Sequence, residues 1–116
     1  MKTMLVMGLK DRAAELDNLH YLAQTAERCH QWELPLMVEP YLWGEAVPTD
    51  AAARAELSAD GARKAIEVGA DILKVEYPGE PGLFEPVVRS SPVRRARVPL
   101  GSRWVEISGP SRTRQR

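Results

Sequence analysis

Gly69-Ala70-Asp71-Ile72-Leu73-Lys74-Val75-Glu76-Tyr77-Pro78 decides how the chain is read. Ile72 to Tyr77 combines β-branched and aromatic residues between Gly69 and Pro78, the boundaries of a short strand. Apolar residues fall on both sides of its alternation, which predicts a parallel strand covered by helices on both faces. Lys74 lies in its middle. A buried ammonium is costly unless it is paired or sheds its proton. A desolvated amine of lowered pKa is what Schiff-base chemistry on carbonyl substrates needs. The alternative is an exposed strand end, with Lys74 snorkelling to water.

Upstream, Leu34-Pro35-Leu36-Met37-Val38-Glu39-Pro40-Tyr41-Leu42 predicts a buried strand over Leu36 to Glu39. Proline cannot donate to a ladder, so pairing is expected to fail at Pro40 and a loop to begin. Met4 to Met7 reads as a further strand ended by Gly8. Between these strands, Asp11 is a candidate N-cap. Leu19, Leu22, Ala23, Ala26, Cys29 and His30 then form one apolar helix stripe. Pro35 stops that helix by about Gln31. Asp50 to Leu57 predicts one short helix, and Ser58 caps a second that ends at Gly69. Leu83 to Val88 begins another.

Strand, helix, strand, helix, strand calls for an α/β fold with a parallel sheet. Catalytic groups of such sheets gather at the carboxyl ends of the strands. Glu39 and Lys74 sit near those ends on successive strands, so they are expected to be neighbours. For Glu39 the plainer reading is a structural ion pair with an Arg or Lys at the rim.

The chain has 116 residues, enough for one domain, with 44% hydrophobic and 28% charged residues. No apolar run approaches the roughly 20 residues that cross a bilayer, and no secretory signal is visible. The single cysteine, Cys29, is compatible with a reducing cytoplasm and reads as a small buried side chain. His20 and His30 lie ten apart, without paired cysteines, so no metal-ligand spacing is visible. Residues 1–85 carry 8 Lys and Arg against 15 Asp and Glu, whereas residues 86–116 carry 8 Arg against the one acid Glu106. From Arg89 on periodicity is lost, and only Trp104 to Ile107 looks strand-like. The tail, 91–116, is therefore expected to be disordered, or to have left the original reading frame near Val93 to Pro99. A nucleic-acid arm is the rival reading, but Trp104 is its only aromatic.

Pro35 to Pro40 and Gly69 to Glu76 resemble the class I aldolases of the tagatose-bisphosphate / sulfofructose-phosphate aldolase group. That group lies within the superfamily that includes deoxyribose-phosphate aldolase. The resemblance also takes in Lys2 to Val6, Cys29-His30 and Pro78, and covers roughly residues 2–90. It implies part of a (β/α)₈ TIM barrel, about its fourth to sixth strands, with residues 1–90 as the aldolase domain. It implies Lys74 as the Schiff-base lysine and Glu39 as the proton-shuttling carboxylate. Lys2 falls on the fourth-strand lysine, a second cation that disfavours protonation of the nucleophile. Tyr41 is a substrate-binding candidate.

The implied substrate is a ketose phosphate, dihydroxyacetone phosphate among its products, with no cofactor and a cytoplasmic location. A barrel needs about 250 residues. Three strands alone leave two unpaired edges, so the chain is expected to be inactive unaided, or to require an oligomer or a complementing barrel fragment. The alternative is a non-catalytic remnant.

Overall fold

The computed structural model describes residues 1–90, 95–97 and 104–108. Among them the elements run β1 (Lys2–Met7), α1 (Arg12–Gln31), β2 (Met37–Leu42), α2 (Ala51–Glu67), β3 (Ile72–Glu76), α3 (Pro81–Arg89), β4 (Arg95–Arg97) and β5 (Trp104–Ser108). One sheet carries the order β1-β2-β3-β5-β4. β1, β2 and β3 are parallel neighbours, whereas β5 lies antiparallel on β3 and β4 antiparallel on β5.

Local chemistry explains the first helix. Asp11 caps α1, its Oδ1 accepting from the amides of Ala13 at 2.9 Å and Ala14 at 3.4 Å. Leu22, Ala26 and Cys29 are its buried stripe. The expected pair of helices after Asp50 is instead one continuous helix, α2. Ser58 does not interrupt it, because this serine lies on the buried stripe with Ala55, Ala59, Ala62 and Ala65. A capping serine would have to leave the helical conformation there, and the stripe's burial opposes that. Gly69, at φ +115°, follows the C-cap Val68 as expected.

β2 corrects the expectation of a break at Pro40, for it continues in register with β1 as far as Leu42. Alternation of the backbone explains why. Met37 N donates to Met1 O and Trp43 N to Met7 O, so the odd-numbered amides point to β1. The amide that Pro40 lacks would point to β3, and the β2–β3 ladder has already ended at Val38↔Leu73. The proline therefore costs no bond.

Burial is one-sided, not two-sided as the apolar flanks predicted. Leu5, Met7, Val38, Leu73 and Val75, at most 3% exposed, pack with the helical stripes. The alternate positions, including Lys2, Met4, Glu39, Tyr41 and Lys74, face the side without helices. Met4 is 46% exposed there. Gly61 brings α2 close to the covered face: a Cβ added to it would stand 2.8 Å from Met7 Cγ and 2.9 Å from Pro40 Cβ.

Neither outer edge of the parallel unit is left bare. Val6 N donates to Asn18 Oδ1 at 2.8 Å, and Asn18 Nδ2 donates to Met4 O at 3.3 Å, so α1 satisfies part of the outer edge of β1. β5 covers the edge of β3. Arg95–Arg97 and Trp104–Ser108 are thus strands inside the tail expected to be disordered, the second of them on the stretch, Trp104 to Ile107, that reads as strand-like. Ile107, paired with Leu73 and 1% exposed, buries apolar surface that offsets the cost of ordering the segment. The rest of the tail lies outside the described residues.

Candidate active site

Lys74 is the third residue of β3. Its neighbours Leu73 and Val75 are wholly buried on the helix side, so alternation sends Lys74 to the open face. Its side chain is 27% exposed, between the buried and solvent-bathed alternatives. On β2, Val38 and Pro40 likewise take the helix side, and Glu39 emerges beside Lys74. Glu39 is 4% exposed although its face carries no helix. Its Oε2 lies 2.5 Å from Lys2 Nζ and 3.8 Å from Lys74 Nζ. The three side chains expected to meet therefore do meet, around one carboxylate oxygen.

They meet just past the last β2–β3 rung, Val38↔Leu73. Beyond a ladder's end, strands can separate and leave room for a ligand between side chains. Tyr41 belongs to the same face, two residues beyond Glu39, and is 38% exposed. It stands at the rim of the cluster. Chemically, the arrangement offers an amine, a carboxylate within reach of it, and a second ammonium that anchors the carboxylate.

The sequence pattern of the DeoC/LacD family aldolases matches residues 2–111. The chain belongs to this family.

The family match extends beyond residue 90, where the resemblance was expected to stop. An uncharacterized aldolase of Saccharolobus solfataricus is 34% identical over 86 residues, 74% of this chain and 31% of that protein. The crystal structure of an archaeal fructose 1,6-bisphosphate aldolase superposes with a TM-score of 0.61 at 30% identity, covering 75% of this chain and 33% of that one. A Schiff-base-forming fructose-1,6-bisphosphate aldolase, solved with reaction intermediates, gives the same score and identity over 34% of its length. The chain thus spans about a third of the length of these relatives. The helices and the three parallel strands match part of a TIM-barrel aldolase.

Three features near the cluster escape a reading of the sequence. β5 places Glu106 at the register position opposite Lys74, a pairing that depends on an antiparallel return no local pattern announces. Met4 stands opposite Glu39 in the β1–β2 register. Arg54, one turn into α2, reaches the end of β3, where its Nη2 lies 3.4 Å from Glu76 Oε2. An arginine in a helix of alanines and acids looks, in sequence, like ordinary solvated charge.

Proposed function

We propose that this chain carries the Schiff-base site of an aldolase acting on a ketose phosphate. The observation that carries the reading is the approach of Glu39 Oε2 to Lys74 Nζ at 3.8 Å on the open face of the sheet. The Schiff-base chemistry named for one solved relative supports it.

In this mechanism the unprotonated Lys74 amine attacks the substrate ketone, and loss of water gives an iminium. Glu39 takes the proton of the C4 hydroxyl. The C3–C4 bond breaks, its electron pair moves to the iminium nitrogen, and the aldehyde leaves. Glu39 returns the proton to C3 of the resulting enamine, and water releases the second product from Lys74. Lys2 holds the carboxylate in place through their ion pair. Tyr41 contributes a phenol at the rim, where a substrate hydroxyl would lie. Met4 and Tyr41 leave apolar surface open beside the cluster, which favours completion of the site by a second copy or a complementing barrel segment.

Trapping tests the reading. The full chain is incubated with dihydroxyacetone phosphate, reduced with borohydride and weighed by mass spectrometry. An adduct that disappears in Lys74→Ala is expected. Absence of an adduct in the unsubstituted chain overturns the proposal.

A further inference from the structure

A row of alternating charge runs across the sheet, with one position on each of its five strands. Lys2 of β1 pairs with Glu39 of β2, and Glu39 Oε2 lies 3.8 Å from Lys74 Nζ of β3. The register then sets Glu106 of β5 opposite Lys74, and Arg97 of β4 opposite Glu106. Lys74 thus stands between two acid positions, each with a cation position beyond it. We propose that Glu106 is a second proton-transfer group of the site, serving iminium formation at Lys74 while Glu39 serves the breaking of the C3–C4 bond. The inference rests on the Schiff-base reading above.

Ile107 fixes the placement. It pairs with Leu73 and is 1% exposed, on the helix-covered side. Alternation puts Glu106 on the other side, which is the face of Lys74. A slip of one residue would carry Glu106 into the apolar core and Ile107 out of it, so burial holds this register. Directly opposed residues of an antiparallel pair keep their Cβ atoms about 4.5–5.5 Å apart, a separation at which opposite charges interact. Glu106 is also the one acid among residues 86–116, which carry eight arginines. Trp104, Glu106 and Ser108 share that face of β5, and the acid falls on the position opposite the lysine.

The chemistry calls for two acids. Iminium formation moves protons at the C2 oxygen, whereas cleavage removes one from the C4 oxygen, two carbons away. Glu39, held by Lys2, would otherwise have to serve both. In the proposed step Glu106 takes a proton from the Lys74 ammonium and frees the amine. The amine attacks C2, the carbonyl π pair moves to oxygen, and a proton passes from nitrogen to that oxygen. Glu106 then gives its proton to the resulting hydroxyl. The C2–O bond breaks with loss of water, and the nitrogen pair closes the C=N bond. One cation, the ammonium, enters and one, the iminium, results, so no outside acid is consumed. Arg97, at the next register position, favours the ionised carboxylate with which the step begins.

The test is the rate of adduct formation. The full chain is mixed with dihydroxyacetone phosphate, reduced with borohydride at successive times and weighed by mass spectrometry. Glu106→Gln is expected to slow the appearance of the adduct about 10²-fold or more, as loss of a positioned acid–base does. Glu39→Gln, which keeps Glu106, should slow it far less. Glu106→Ala should be as slow as Glu106→Gln, and added formate should restore part of its rate, a rescue that neither misfolding nor loss of a structural ion pair would show. Adduct formation as fast in Glu106→Gln as in the unsubstituted chain, or a Glu106→Ala rate that formate leaves unchanged, overturns this inference alone. Absence of any adduct in the unsubstituted chain overturns the Schiff-base reading and this inference with it.

Discussion

Lys2 Nζ lies 2.5 Å from Glu39 Oε2, closer than Lys74 comes to the same oxygen. The chain's second residue therefore supplies the nearest cation to a carboxylate that is almost completely removed from water. Lys2→Met leaves Glu39 buried with its nearer partner gone. Because Lys2 is about half exposed, the loss is less than for a fully buried pair: about 1–2 kcal/mol of stability. Lys2→Arg should recover most of it. Urea unfolding of the three proteins checks this, and equal midpoints for Lys2→Met and the unsubstituted chain would remove Lys2 from the site.

Glu39 and Lys74 should separate by step. Lys74→Ala abolishes the borohydride-trapped adduct outright. Glu39→Gln keeps the amine and the ketone-binding face, so an adduct still forms, but carbon–carbon cleavage falls by about 10²- to 10⁴-fold, the usual worth of a positioned acid–base. Parallel measurement of trapping and of aldehyde release distinguishes the two. Cleavage undiminished in Glu39→Gln would assign proton transfer to another group.

The pairing of these two residues was legible because it needs little beyond local pattern. Successive parallel strands joined by helices put their carboxyl ends together, and Gly69 and Pro78 bracket the Lys74 strand without ambiguity. Asp11 and the Leu22–Ala26–Cys29 stripe likewise declare α1 from composition and spacing alone. What escaped depends on partners distant in sequence. Pro40 reads as a strand terminator until the direction of its missing amide is known. Ser58 reads as a cap until the helix is seen packed on the sheet. Trp104 to Ile107 looks strand-like in the sequence, but its partner, the edge of β3, is not announced there.

Asn18 shows the same dependence and gives a third prediction. Its side chain makes two hydrogen bonds to the outer edge of β1, at Val6 N and Met4 O. Asn18→Ala leaves those groups facing outward, costs about 1 kcal/mol, and frees an edge for pairing with other chains. A lower urea midpoint together with concentration-dependent self-association is expected. A variant as stable and as monodisperse as the unsubstituted chain would show the edge to be protected otherwise.

Gly61 opposes two effects whose magnitudes decide the sign. Replacing it with alanine gains about 1 kcal/mol of helix propensity. The new Cβ would meet Met7 Cγ at 2.8 Å and Pro40 Cβ at 2.9 Å. Methionine can yield, but a proline ring within a strand moves only with its backbone. Overpacking of this kind costs about 1–3 kcal/mol, so Gly61→Ala should be net destabilising. Displacement of Pro40 also shifts Glu39, the residue before it, and adduct formation should slow with it. Increased stability with unchanged trapping would mean that α2 lifts off the sheet without disturbing β2.

The contact between α1 and α2 sets a pH dependence away from the site. Lys64 Nζ lies 2.8 Å from Glu15 Oε1 and 3.1 Å from Asp60 Oδ2, and Arg63 binds Asp60 as well. Burial alone would raise the Asp60 carboxyl, but the hydrogen bonds from Arg63 and Lys64 outweigh it and hold it below its ordinary 3.8. Lys64 is raised above its ordinary 10.5, chiefly by the hydrogen bond to Glu15, against an opposing effect of burial. For Asp60, whose folded value is depressed, the stabilisation is present above pH 3.8 and is lost as pH falls through the folded value. For Lys64, whose folded value is raised, it is present below pH 10.5 and is lost as pH rises through the folded value. Stability from this network is therefore flat through neutrality and declines only at the two extremes. Asp60→Asn should remove part of the acid decline, so that its urea midpoint falls less than that of the unsubstituted chain between pH 7 and pH 3. Lys64→Met should flatten the alkaline limb and, because Lys64 also helps to depress Asp60, part of the acid limb as well, and should lower the midpoint at neutral pH because it severs α2 from Glu15. Parallel midpoint curves for all three proteins from pH 3 through the alkaline limb would show that the network does not couple protonation to folding.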